Sequence, residues 1–167
     1  MKKTLFMDFS VDKEENQINV KREFAAPLKN VWAAWTESEL LDQWWAPKPY
    51  KTKTKSMDFR EGGMWLYAMV SPEGQKHWCR NDYEKISHHK NFNSVDSFCD
   101  EEGNINTDFP SALWETRFNA SEGSTFVNVQ TTYDTLADLE KILEMGVQEG
   151  LTAALENLDE LLEAQTK

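Results

Sequence analysis

Cysteine is scarce: Cys79 and Cys99 are the only 2 in 167 residues, too few for a disulfide framework. Nothing points to an oxidising compartment, so both are expected as free thiols in a cytosolic protein. Positive charge is short as well, 18 Lys and Arg against 29 Asp and Glu, for a formal net charge of −11. That balance excludes a nucleic-acid partner, which would select a basic patch or stripe. The one basic cluster, Lys48, Lys51, Lys53 and Lys55, fits a solvated strand face. No apolar run is long enough to span a membrane. Met1-Lys2-Lys3 leads into Leu5-Phe6-Met7 and then Asp8, too short and too soon charged for a secretory signal. His77, His88 and His89 lack metal-ligand spacing; the adjacent pair would diverge in a strand or face solvent in a turn. Walker loop, dinucleotide fingerprint, G-x-S-x-G elbow and catalytic-cysteine signature are all missing. No cofactor, metal or catalytic residue is therefore assigned.

Aromatic side chains are what the sequence has in excess, with 7 Trp and 9 Phe. A second feature organises the chain. From Thr135 to Leu162, Leu136, Leu139, Leu143, Val147, Leu151, Ala154, Leu158 and Leu161 recur at spacings of three and four, the mark of a helix with one apolar stripe. Thr135 and Asp138 form an N-terminal cap. Fully helical, that stretch would run roughly 42 Å and needs a broad apolar partner. Gly146 and Gly150 sit one turn apart beside the stripe. They predict a break near Met145-Gly146, and they leave room for a ligand where two side chains are missing.

Upstream, Leu5–Val11 and Ile18–Phe24 alternate as strands around the polar turn Asp12–Asn16, an N-terminal strand-and-turn extension over residues 1–16. Pro27 opens a short helix carrying Val31, Trp32 and Trp35. Thr36 and Glu39 have capping-box spacing and start a second, ended by Pro47 and Pro49. From Tyr50 to Tyr133 strands alternate with turns such as Arg60-Glu61-Gly62-Gly63. A bulge or change of face is expected near Met57, and Met64–Val70 is apolar on both faces, as a covered central strand would be. Short turns force antiparallel pairing. The economical architecture is α+β, one domain over residues 1–167, with six to seven strands curved about the C-terminal helix.

Phe24-Ala25-Ala26-Pro27, Val31-Trp32-Ala33-Ala34-Trp35-Thr36 and Trp44-Trp45-Ala46-Pro47 resemble the opening of the START-like (SRPBCC) superfamily. More narrowly they resemble the family named for the activator of the heat-shock protein 90 ATPase. Met57–Gly63 with Trp65, Tyr83–Ile86, Asp96–Phe98 and Gly146–Gly150 match its later landmarks. The resemblance implies a helix-grip fold, with a curved antiparallel sheet around a long helix and a cavity between. Relatives in the wider superfamily bind lipids, hormones or polyketide-like molecules, and some cyclise them. The chaperone activator itself carries a further N-terminal domain for which this sequence has no room, and single-domain bacterial members are mostly of unknown function.

Trp32, Trp35 and Trp44, at helical spacing, are expected in the core. The candidates for lining a cavity are Trp45, Trp65, Tyr67, Trp78, Phe98, Trp114 and Tyr133, with Gly146 and Gly150 providing space. Arg80, Asp82 and Asp96 form a second constellation. In a hairpin folded evenly about His88-His89, Asp82 and Asp96 meet, as do Cys79 and Cys99, with Arg80 on the same face as the acids. Paired carboxylates suit acid–base work, and an arginine beside them makes an ion-pair network. Three functions follow. A small hydrophobic or aromatic molecule bound between helix and sheet is the reading adopted. The alternatives are a co-chaperone docking an aromatic patch near Trp44-Trp45 on a partner, and a cyclase- or hydrolase-type enzyme using Asp82, Asp96 or Arg80.

Overall fold

The structure, a computed structural model, describes residues 5–165; Met1-Lys2-Lys3 lies outside the described residues. Strands β1 (Met7–Asp12) and β2 (Gln17–Phe24) open the chain. Their turn closes because Asp12 Oδ1 accepts the backbone N–H groups of Glu14 and Glu15 at 3.1 and 3.2 Å. Helices α1 (Leu28–Thr36) and α2 (Ser38–Trp44) follow. Strands β3 (Lys51–Met57), β4 (Met64–Val70), β5 (Lys76–Ser87), β6 (Asn91–Phe98), β7 (Ala112–Ser121) and β8 (Ser124–Thr132) then lead to α3 (Leu136–Glu144) and α4 (Val147–Gln165).

The strands form one 8-stranded sheet in the order β1-β2-β8-β7-β6-β5-β4-β3, more strands than expected because β1 is a full edge strand and not an appendage. Every neighbouring pair is antiparallel. This α+β, helix-grip arrangement has one hydrophobic core, in which Val127, Val129 and Phe24 from the sheet join Trp35 and Trp44 from the short helices and Leu155 and Leu158 from α4.

The apolar C-terminal stripe breaks where the glycines predict. Thr135 Oγ1 accepts from Asp138 N at 3.1 Å and caps α3. At the other end Gly146 takes φ +88°, the left-handed conformation that ends helices and that only glycine adopts freely. Gly150 N then donates to Gly146 O at 2.9 Å and α4 begins. Two contacts fix α4 to the rest of the molecule. Buried Asn157 donates from Nδ2 to Ala46 O at 3.0 Å and, more weakly, to Trp44 O at 3.5 Å. Arg22 on β2, itself buried, pairs with Asp159.

Of three local expectations, the capping box fails, the bulge near Met57 is found, and β4 is covered on both faces without being central. The capping box is not formed: Thr36 is the last residue of α1, and its hydroxyl donates back to Trp32 O at 2.8 Å, the local bond an i−4 carbonyl offers Ser and Thr. Glu37 precedes α2 without a side-chain cap. The β3 bulge lies between Thr54 and Ser56, ahead of Met57. There Thr54 Oγ1 donates to Asp42 Oδ1 at 2.6 Å and accepts from Trp65 Nε1 at 3.0 Å, tying the edge strand to α2. Strand β4 is covered on both faces, with Trp65, Leu66, Tyr67 and Ala68 all buried, yet it is second from an edge. On the outer face the ladder partners of Leu66 and Ala68 are the long side chains Arg80 and Trp78.

A candidate ligand pocket under the helix break

Beneath the α3–α4 break, helices and sheet border a partly open pocket of about 260 Å³. Its sheet wall is built by strand alternation: Tyr67 and Met69 on β4, Cys79 on β5, Asp96 and Phe98 on β6, Ala112 and Trp114 on β7. The ladder partners Tyr67↔Cys79, Cys79↔Phe98 and Asp96↔Ala112 bring them side by side. Ile142, Met145, Val147, Leu151 and Ala154 form the roof, and Trp45, Pro47, Pro110 and Tyr133 close the sides.

Gly146 and Gly150 both line the pocket, for different reasons. Gly146 is required by its backbone conformation. Gly150 is a matter of space, since a Cβ there would meet nothing nearer than Pro47 Cγ at 3.9 Å. Trp45 is the centre of the aromatic wall, its ring centroid 5.3–5.9 Å from those of Trp35, Trp44, Trp65 and Trp114. Its indole N–H donates to Tyr67 Oη at 3.0 Å, which fixes both rings.

Asp96 is the one carboxylate among the lining residues, and no lysine or arginine lines the pocket with it. It keeps a small accessible area, while its Oδ1 reaches neither solvent nor a hydrogen-bond partner. Burial pushes its pKa up from 3.8 to about 7. Burial likewise raises Tyr67 and Cys79, with the nearby Asp96 charge adding to both, and lifts Tyr133 to about 12. The indole N–H of Trp114 is also buried without an acceptor.

The remaining sequence candidates lie elsewhere. Trp65 faces inward but one step deeper, stacked on Tyr67 at 4.0 Å and lining a separate void of about 20 Å³ behind Trp45 and Trp114. Trp78 and Arg80, expected in the cavity, are on the outer face of the sheet. Lys55 and Lys76 lie over the Trp78 ring at 5.9 and 6.0 Å. Arg80 donates to Asp82 Oδ2 and Oδ1 at 2.9 and 2.5 Å and to Gly103 O at 2.6 Å. The even hairpin about His88-His89 holds only beside the turn, at Ser87↔Asn91 and Ile86↔Phe92. An irregularity between Tyr83 and Ile86 then shifts the register by one, so that Asp96 pairs with Asn81 and Asp82 with Val95. Such a shift moves a side chain to the opposite face. It separates Asp82 from Asp96 and Cys79 from Cys99, and both thiols are free. Met69 and Cys79, missed from sequence, follow from the parity of Tyr67 once the register is known. Ala112 carried no signal.

Among the described residues two further depressions stand out, the second of them larger, at about 670 Å³, and lined in part by buried Trp44, Thr52 and Asn157. The first lies over Asp8, Lys21, Glu115 and Arg117; the second lies around Gln43, Lys48, Tyr50 and Lys51.

A family model described as Activator of Hsp90 ATPase homolog 1-like protein matches residues 25–163. The chain belongs to that family. Solved structures resemble this Activator of Hsp90 ATPase homolog 1-like chain over nearly its whole length. A crystal structure of a Mycobacterium smegmatis protein matches with a TM-score of 0.86 at 29% identity, covering 95% of this chain and 97% of that one. A solution structure from Arthrobacter aurescens gives 0.89 at 26%, over 94% and 91%. Another, from Staphylococcus epidermidis, gives 0.82 at 26%, over 93% and 94%. No curated protein matches the chain. No helix among the described residues is long and apolar enough to cross a membrane. Two family landmarks, Trp44–Pro47 and Gly146–Gly150, both contribute lining residues to the pocket.

Proposed function

We propose that this protein binds a small apolar or aromatic molecule in the pocket between the helix break and the sheet. The observation that carries this reading is the lining itself. Aromatic and aliphatic side chains surround a few placed polar groups, as ligand sites do. At about 260 Å³ the space falls just below the range of about 300–1,000 Å³ for drug-sized ligands. One- or two-ring molecules fit it, and long acyl chains or sterols do not. Entry would pass Met145, which is 49% exposed at the rim. Lys141 holds the neighbouring loop by donating to Asp108 O at 2.9 Å and lying over the Phe109 ring at 4.9 Å.

The competing readings keep less: of the enzyme candidates only Asp96 lines the pocket. Trp44 is 1% exposed and Trp45 faces the pocket, so the aromatic patch proposed for chaperone docking is absent there. The acid–base group of the enzyme reading is divided between two faces of the sheet.

A thermal-shift panel of one- and two-ring aromatics at millimolar concentration tests the proposal. Ligand at 100 times its Kd stabilises by about 2.7 kcal/mol, a shift of several degrees. Some members should raise the melting temperature of the wild type and not of Gly150→Leu, whose side chain fills the pocket. Equal shifts in both proteins, or none in either, would refute it.

A further inference from the structure

We infer that the pocket selects a ligand whose ring body carries a cationic nitrogen, and that the Asp96 carboxyl is the group that takes it. The inference rests on the binding role proposed above and assigns the chemistry of the ligand.

A buried carboxyl normally has an arginine, a lysine or several backbone N–H groups around it, because an unpaired buried charge is strongly disfavoured. Asp96 has none of these at Oδ1, and no basic side chain lines the space it faces. A structural ion pair is thus excluded as its purpose, and Arg80, on the partner strand, is engaged by Asp82 on the other face. The pocket it lines is walled by the rings of Tyr67, Trp45, Trp114 and Tyr133. Aromatic faces attract a cation through the ring quadrupole. One acid inside a set of rings is complementary to an amine and repels a carboxylate ligand. The formal charge of −11 favours approach of a cation over that of an anion.

The pH dependence has a definite sign. Asp96 titrates near 7, so an amine that stays protonated meets more carboxylate as pH rises from 6 to 8, and binds more tightly. The other titratable groups facing Asp96 are Tyr67, Cys79 and Tyr133, all raised by burial and neutral across that window. The helices and the end of α2 present no titratable side chain to the pocket.

Three probes with one ring system separate the outcomes: tryptamine (cationic), tryptophol (neutral) and indole-3-acetate (anionic). Isothermal titration is run with wild type and Asp96→Asn at pH 6 and 8. Tryptamine should bind wild type about tenfold or more tighter than tryptophol, more tightly at pH 8 than at pH 6, with indole-3-acetate weakest. In Asp96→Asn the preference for tryptamine should vanish while tryptophol binding persists. Tryptophol or indole-3-acetate binding wild type as well as tryptamine does would overturn the cation assignment and leave the pocket as a binding site. Failure of all three at millimolar concentration would overturn both.

Discussion

Asp96 stands opposite Asn81 in the β5–β6 ladder, and Asp82 stands opposite Val95. One acid therefore lines the pocket, and the other is held outside by Arg80. The distinction governs how the protein responds to pH, because only the inner carboxyl is desolvated without compensation.

In the unfolded chain Asp96 ionises near its ordinary value of 3.8, and in the fold near 7. Between those values the folded state binds the extra proton, so stability falls as pH rises through the interval. Above it the penalty is complete, at about 4 kcal/mol. Asp96→Asn removes the charge and should melt above wild type at pH 8, with the gap closing by pH 4. Thermal melts at the two pH values check this, and identical curves at pH 8 would show a carboxyl that burial does not penalise.

The two glycines should respond oppositely to alanine. Gly150→Ala places a methyl in open helical space, with Pro47 Cγ 3.9 Å away, and should stabilise by about 0.5–1 kcal/mol. Gly146→Ala forces a side chain onto φ +88° and should destabilise by about 1–2 kcal/mol. Urea denaturation at constant m-value resolves both. Effects of the same sign would mean that the break is not held by backbone conformation.

Asn157 joins α4 to the carbonyls that end α2. Asn157→Ala leaves those carbonyls with one donor fewer in a buried place and should lose about 1–3 kcal/mol. Because Trp45 and Pro47 stand beside them, amide hydrogen exchange should quicken over residues 44–46 before it changes in β6. Unchanged exchange there would separate Asn157 from the pocket wall.

Cys79 lies opposite Phe98, not Cys99, and the two thiols occupy opposite faces. Mild oxidation should leave them unlinked. Cys79 is buried, whereas Cys99 is half-exposed with a pKa near 11, raised chiefly by burial. Iodoacetamide at neutral pH should label Cys99 slowly and Cys79 only on unfolding. Peptide mass mapping distinguishes this from rapid joint labelling, which the ladder register forbids.

Much of the fold is legible before any coordinates. The spacing from Leu136 to Leu161 marks the C-terminal helices, and Gly146 marks their break, because periodicity and a residue free to adopt positive φ are both local signals. The aromatic wall is partly legible too, since Tyr67 and Trp114 are large aromatics on segments that read as strands. What cannot be read is register. Nothing in Glu84-Lys85 announces the irregularity beside Ile86, and that single step carries Asp96 inward and sends Asp82 out. Trp78 and Arg80 look like pocket residues from composition, and parity alone moves them to the far face. Thr36 shows the same limit at shorter range: its spacing to Glu39 fits a cap, but its hydroxyl is taken by Trp32 O.

The binding role requires a small molecule in the space under Gly146 and Gly150. Native mass spectrometry of protein purified from its own host measures that occupancy directly. Wild type should carry a releasable adduct of one- or two-ring size that Gly150→Leu lacks. The bare polypeptide mass in both, retained across gentle desolvation conditions and after incubation with host extract, would contradict it.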